Sequence, residues 1–360
     1  MGRRKLRIYS DRDGLAPGQS HVVMLYPFWG KNPETPGAPD TGRFDHYASA
    51  GRDLLDLVPL AEADAAVLPG DWPAGGGCPE AFRFCEKANR AGKPVIVFFN
   101  NDSAEKIPLD NMLLFRTSAY GCARRQGEFG LPAWCEDFVK LRRGGQVPLR
   151  SWQPRPTVGY CGYGTTQGSG MRAGIANAAS HIPLVAPLLG SFIRTHHGPA
   201  GHKIRSKALR ALHRSGKVQT NFLLRKAFWN GAIRNGRFDV DLARRSRTEY
   251  IDNMFSSDYV LCARGGGNFS FRFYETFCCG RMPLFVNTDC ILPFDQWIAW
   301  KKRCVWIEER DLPSIAERLA AFHADLSPAE FENIQRSSRR LWEEWLSPMG
   351  FFSNLYRYFE

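Results

Sequence analysis

No stretch of this sequence reaches eighteen consecutive apolar residues, so no segment is expected to span a membrane. The first residues, MGRRKLRIYSDRD, are basic but lack the apolar core of a signal peptide, and Leu6 stands where a myristoylation pattern needs Ser or Thr. Together these absences predict a cytoplasmic protein. The ten cysteines form no C-x-x-C pair, and Cys161, Cys262, Cys278 and Cys279 sit in apolar context. Reduced core thiols are therefore expected, and a zinc site is not. Neither G-x-G-x-x-G nor a Walker A motif occurs, which removes the usual signatures of hydride transfer and ATP hydrolysis. There is no internal repeat, no low-complexity tract and no helix-turn-helix, RRM, OB or zinc-finger pattern, so nucleic acid is not the expected partner.

What is present is an excess of positive charge: 48 Lys and Arg against 36 Asp and Glu, a net +12. Such a balance attracts anions, whether nucleic acid, a phosphorylated metabolite, an acidic polysaccharide or an anionic membrane surface. The basic residues gather at Arg124–Arg125, Arg142–Arg143, His202–Arg214 and Arg244–Arg247. A chain of 360 residues exceeds what one hydrophobic core usually holds, so two domains are expected.

The apolar runs KLRIY (Lys5–Tyr9), Val22–Tyr26, AAVLP (Ala65–Pro69) and PVIVFF (Pro94–Phe99) read as strands. Between the last two, PEAFRFCEKANR (Pro79–Arg90) has helical spacing with Pro at its start and Gly92 as a stop. Continuous apolar strands separated by helices predict an α/β fold with a parallel sheet covered on both faces. The Pro/Gly/basic stretch from Leu141 to Pro156 reads as a linker. Beyond it the pattern restarts with strands at Thr157–Tyr160, Val218–Leu224, Tyr259–Ala263 and Pro283–Val286. Helices are expected near Met171–Ser180, Ile204–Arg214, Thr248–Phe255, Phe271–Cys279, Asp311–His323 and Pro328–Trp345. The domains are thus expected at 1–150 and 151–335, with 336–360 a helical segment packing back on the first.

The most informative stretch is YVLCARGGGNFSFRFYETFCCGRMPLFVNTD, from Tyr259 to Asp289. Gly265, Gly266 and Gly267 lie between a strand and a helix, where a parallel sheet binds ligands beyond its carboxyl end. Glycine lets successive amides turn inward and a ligand approach the backbone. The helix that follows offers unpaired N–H groups to phosphate, with Asn268 or Ser270 as N-cap. Arg272 and Glu275, three residues apart, share one helical face. The guanidinium suits a diphosphate and the carboxylate suits ribose hydroxyls. Gly280 is placed to end the helix in a left-handed cap.

These residues resemble the signature of the exostosin family of glycosyltransferases, glycosyltransferase family 47. The resemblance rests on Cys262 closing a strand, Gly265–Gly267, Arg272 with Glu275, Gly280 with Pro283, Asp289, and Leu292–Phe294. It extends to AEADAAVLPGDW, GKPVIVFFNNDS, LLFRTSAY, RPTVGYCGYG and TNFLLRKAF, stretches similar to those of soluble bacterial members. It implies a GT-B fold, two Rossmann-like domains with mostly parallel sheets facing across a cleft, the nucleotide on the carboxyl-terminal one. It also implies inverting transfer from a UDP-sugar donor to a glycan acceptor with no obligatory metal or other cofactor, and a role in polysaccharide assembly, at the inner membrane surface where the charge calls for one. By this analogy Arg264 assists the leaving group.

Inverting transfer needs positive charge at the departing diphosphate and a general base at the acceptor. Arg264, Arg272 and Arg225 supply the first. For the base, Asp71 after AAVLPG and Asp102 after PVIVFFNN are the candidates at strand ends, and Glu128 in GEFGLPAW is a third. Asp239-Val240-Asp241 imitates a metal-binding DxD, but it follows no strong strand and reads as a loop or N-cap. His196-His197 and His202 have no carboxylate nearby, so no metal ligand is expected. Trp72, Trp134, Trp152 and Trp297 fall near loops, where aromatic faces can stack on sugars. The competing reading is a non-catalytic basic protein that grips acidic glycan or nucleic acid.

Overall fold

The computed structural model describes residues 5–36, 38–166, 199–234 and 237–360. The helix expected at Met171–Ser180 and the pair His196-His197 lie outside these residues. Thirteen strands are described: β1 Leu6–Tyr9, β2 Leu55–Leu57, β3 Ala65–Val67, β4 Val95–Phe99, β5 Met112–Arg116, β6 Glu128–Gly130, β7 Thr157–Tyr163, β8 Gln219–Arg225, β9 Ile233–Arg234, β10 Arg237–Phe238, β11 Tyr259–Cys262, β12 Met282–Asn287 and β13 Val305–Glu308. The helices are α1 Tyr26–Trp29, α2 Asp45–Ala50, α3 Pro79–Arg90, α4 Phe138–Arg143, α5 Pro199–Ser215, α6 Val240–Phe255, α7 Phe271–Cys278, α8 Ile315–Ala324, α9 Pro328–Leu341 and α10 Pro348–Asn354. All ten cysteines are free thiols.

The chain divides into two compact units. Met1–Gln146, Asp289–Trp300 and Ser338–Glu360 form one, and Val147–Thr288 with Lys301–Ser337 form the other. Each is α/β with its own sheet. In the first the strand order is β2-β1-β3-β4-β5-β6, in the second β13-β12-β11-β7-β8, and every ladder in both is parallel. β9 and β10 make a separate antiparallel pair. Two such α/β units with parallel sheets are the fold class that the resemblance implied.

In the first unit β4, VIVFF, is buried along its whole length, as a parallel strand covered on both faces must be. α3 lays Ala81, Phe84, Cys85 and Ala88 against the sheet at helical spacing. The last segment completes this core. Phe351 and Phe352 of α10 meet Trp134, and Phe352 also stacks on Tyr47 and touches Phe98. In the second unit Leu209 and Leu212 of α5 and Ile315 and Leu319 of α8 cover the apolar strands β7, β11, β12 and β13.

Two expectations fail locally. Val22–Tyr26 is not a strand: Val23–Leu25 is a 3-10 turn that runs straight into α1. A short apolar run is equally compatible with a buried helical turn, and Pro27 in the first turn of α1 favours that outcome. β2, β5, β6 and β13 were also missed; β2 and β6 have three residues each, below the length at which alternation is readable.

Candidate functional site

Each sheet has a place where the strand order reverses. In the second, the chain passes from β7 to the edge strand β8, then returns to the other side of β7 as β11. A crevice opens where two such crossovers diverge, at the strand carboxyl ends. Arg264 and Gly265–Gly267 follow β11 there, and Cys161–Tyr163 end β7 beside them. Arg272, in the first turn of α7, points back to β7. Its Nη2 donates to the Cys161 carbonyl at 2.8 Å, and its guanidinium lies 4.4 Å from the Tyr160 ring centre. Gly162 makes room: its φ is +148, and a Cβ would approach Arg272 Nη2 to 3.1 Å.

A second guanidinium reaches the same place, and sequence reasoning did not single it out. Arg205 of α5 donates to the Tyr163 carbonyl at 3.1 Å and the Arg264 carbonyl at 3.0 Å, joining the ends of β7 and β11. The Nε atoms of both Arg205 and Arg272 are buried without a hydrogen-bond partner among the described residues, and neither side chain forms an ion pair there. Carbonyl dipoles offset a guanidinium only in part, so the bend is left electropositive. Arg264 turns its Nη2 onto the Gly266 carbonyl at 3.0 Å, and Gly265 N–H closes the loop on the Phe269 carbonyl at 3.1 Å.

The glycines serve a different purpose from the expected one. None of Gly265, Gly266 and Gly267 has positive φ. The tight spot is Gly201 in the first turn of α5, where a Cβ would lie 2.1 Å from the Gly265 carbonyl oxygen. Ser270 occupies the N-cap position of α7 but makes no side-chain cap. Asn268 is buried and faces Thr288, accepting from its hydroxyl at 2.6 Å and donating to its carbonyl at 3.0 Å. Gly280 has φ +64 and closes α7 as a left-handed residue.

Glu275 does not share solvent with Arg272. It is 2% exposed; one oxygen accepts from Arg247 Nη1 at 2.9 Å and the other from the Tyr250 hydroxyl. Its burial, more than its two partners, keeps it from meeting a ribose directly. Tyr250 in turn lies 5.4 Å from the Arg272 guanidinium, ring centre to carbon, and the Glu275 carboxylate also acts on that cation through its charge. Arg225 pairs with Glu249 of α6 at 2.9 Å, which offsets the charge expected of it at the bend.

In the first sheet the order reverses between β1 and β3, since the chain goes from β1 to β2 and then across to β3. Asp71 follows β3 at that point. The Gln19 side chain donates to its carbonyl at 2.7 Å, and Gly70 beside it bridges His21. The Asp71 carboxyl is pushed up to about 6: crowding by protein raises it, and an N–H from Asn100 only partly offsets this. The residue nevertheless keeps an exposed surface. Asp102 is exposed on the loop after β4, away from the reversal. Glu128 is 3% exposed in β6 and faces the Arg116 guanidinium at 3.8 Å. Arg116 also donates to the carbonyls of Ser103, Glu105 and Ser118, so this pair fixes the loop that follows Asp102.

Asp239 caps α6 through Leu242 N–H at 2.8 Å, and Asp241 pairs with Arg244 at 3.3 Å. His202 packs on Tyr163, ring centres 4.6 Å apart. Among the tryptophans, Trp72 and Trp134 are buried, Trp152 stacks on His323, and Trp297 is 37% exposed. No described helix is long and apolar enough to cross a membrane.

Residues 184–322 match the exostosin GT47 domain. The chain is 31% identical over 108 residues to the exostosin-1 homolog of Caenorhabditis elegans, covering 30% of this chain and 27% of that protein. It is 29% identical over 99 residues to the probable glucuronosyltransferase 47 A of Physcomitrium patens, covering 28% and 22%. It is 30% identical over 91 residues to the probable beta-1,4-xylosyltransferase IRX10 of Arabidopsis thaliana, covering 25% and 22%. The chain thus aligns with about a quarter of the length of these relatives. They come from an animal, a moss and a flowering plant and do not support the bacterial subtype that the sequence suggested. The stretch carrying the glycine bend, Arg205, Arg272 and Glu275 lies within the residues that match the exostosin GT47 domain.

Proposed function

We propose that this chain is an inverting glycosyltransferase that moves a sugar from a UDP-sugar to a hydroxyl of a glycan acceptor, without a metal. Its place is the cytoplasm, at an anionic membrane surface in polysaccharide assembly. The observation that carries the reading is the pair Arg205 and Arg272, which converge on one strand-order reversal with carbonyl oxygens as their acceptors. Positive charge held in place before the reaction stabilises a diphosphate as it departs, without reorganisation at that moment. Arg264 and the amides of the bend and of α7 add to it.

In the step itself the acceptor oxygen forms a bond to the anomeric carbon as the bond to the diphosphate oxygen breaks. The electron pair leaves with UDP, and the hydroxyl proton passes to a carboxylate. Asp71 is the base in this reading, since it lies at the first sheet's reversal and its carboxyl titrates near the operating pH. Asp102 is the second choice, on its exposed loop. Glu275 is a positioning residue that holds Arg247 and Tyr250 about Arg272.

The test is thermal melting with excess UDP, which raises the melting temperature of a protein that binds it in the folded state. Arg272→Ala and Arg205→Ala are expected to remove that rise while remaining folded. No shift for the wild-type chain with any nucleoside diphosphate overturns the reading.

A further inference from the structure

The bend that carries Gly265–Gly267 is anchored just beyond its glycines by Asn268. This side chain is 1% exposed, and both of its polar groups meet one residue: Nδ2 donates to the Thr288 carbonyl at 3.0 Å, and Oδ1 accepts from the Thr288 hydroxyl at 2.6 Å. Thr288 directly follows β12, and the peptide that contains its carbonyl runs into Asp289. Asp289 has φ +61, a left-handed backbone on a residue that is not glycine. Asp is among the few residues that tolerate this region, whereas a β-branched residue there is a genuine outlier. Two hydrogen bonds keep Asp289 in place. Its carbonyl accepts from Gly121 N–H at 2.7 Å, and its carboxylate accepts from Cys122 N–H at 2.8 Å. Gly121 leaves room for that carboxylate, since a Cβ there would lie 2.6 Å from Asp289 Oδ1.

We infer that Asp289 is a positioning residue for the glycine bend: its left-handed backbone aims the Thr288 carbonyl at Asn268, and Asn268 in turn holds the bend. The angle φ of Asp289 is the rotation of the Thr288–Asp289 peptide plane against the rest of Asp289. With the Asp289 carbonyl and carboxylate held by Gly121 and Cys122, an ordinary φ of about −60 to −160° turns the Thr288 carbonyl by roughly 120° or more. Asn268 Nδ2 then loses that acceptor inside the protein, an arrangement that folded chains avoid, so the side chain and the bend attached to it shift. The role is carried by the backbone angle rather than by the charge of the carboxylate. Gly and Asn both accept this angle, Gly because it has no Cβ, whereas Val does not. The inference deepens the proposed activity by naming a residue that shapes its diphosphate bend, and it rests on that reading for the ligand alone.

The measurement is amide hydrogen exchange of the peptides that cover Gly265–Phe269, read by mass spectrometry on the full chain without nucleotide. Asp289→Val and Asn268→Ala are each expected to speed exchange there on the order of tenfold, while Asp289→Gly and Asp289→Asn stay within about twofold of the wild type. Asp289→Ala lacks the carboxylate as Asp289→Gly does and differs from it only by the Cβ, so it is expected to fall between Gly and Val. This pair makes the same comparison where Asp289→Val does not fold. The double variant Asn268→Ala with Asp289→Val is expected to exchange no faster than Asn268→Ala, because both changes break one contact. Exchange as fast in Asp289→Gly as in Asp289→Ala overturns the inference, since the carboxylate and not the backbone angle then holds the bend. So does unchanged exchange in Asn268→Ala, or additive effects in the double variant. UDP affinity is read in parallel from the melting shift. Binding about tenfold weaker is expected in Asp289→Val and Asn268→Ala, with restoration by Asp289→Gly. A wild-type chain that ignores UDP refutes the nucleotide reading, and the exchange pattern still decides what Asp289 does.

Discussion

Asp71 shows how much a single position decides. Its carboxyl is raised from an ordinary value of 3.8 to about 6, so the folded chain holds the proton to higher pH than the unfolded chain does. Its contribution to stability is therefore present below about pH 4 and lost as pH rises through about 6. Asp71→Asn is expected to raise the melting temperature at pH 7 and to leave it unchanged at pH 4; a loss at pH 7 contradicts this. As the base, Asp71 sets an acid limb near pH 6 in kcat/KM, and Asp71→Asn is expected to cost roughly 10²–10⁴-fold in kcat. Its UDP-induced melting shift should stay intact. Glu128, in GEFGLPAW, was a third candidate for the base by sequence. Only the fold puts Arg116 beside it. Arg116→Ala would strand a buried carboxylate, and a loss of about 3–5 kcal/mol in urea unfolding is expected.

At the level of elements, the second unit ties its helix ends through one cation. Arg281 is fully buried and donates to Phe255 at the end of α6, to Cys279 and Gly280 just after α7, to Pro148, and to Gln335 of α9. A guanidinium at helix carboxyl ends meets carbonyls that have no other donors and the negative end of each dipole. Lys cannot reach five acceptors, so Arg281→Lys is expected to destabilise by a few kcal/mol, roughly as much as breaking a buried charged network. Near-native urea midpoints for that variant would contradict it. Gly201→Ala tests the joint between α5 and the bend, where the added methyl meets a backbone oxygen that cannot swing away. The expected loss is about 1–3 kcal/mol, together with weaker UDP binding.

On the scale of the whole chain, connectivity matters more than linear order. The first unit takes Asp289–Trp300 and Ser338–Glu360 from beyond the second. Phe294 packs on Phe351, and Tyr358 on Phe115 and Phe129, so late residues complete an early core. Burying a single phenylalanine contributes about 1.5–3 kcal/mol. A chain ending at residue 337 is expected to lose the cooperative melting of the first unit, measured by tryptophan fluorescence of Trp134. Retention of that transition would show that the terminal segment is dispensable.

The sequence by itself determined the α/β class, the strand–bend–helix order around Gly265–Gly267, the α3 boundaries, and the left-handed cap at Gly280. Each follows from local periodicity and from glycine and proline geometry, which act over a few residues. Tertiary structure alone decided that Arg205 and Arg272 meet at one strand reversal, and that Glu275 turns to Arg247 and Tyr250. It alone also set Asp71 apart from Asp102 and Glu128. The reason is physical: charge partners and desolvation are set by neighbours dozens of residues away, and no local pattern encodes which strand returns beside which.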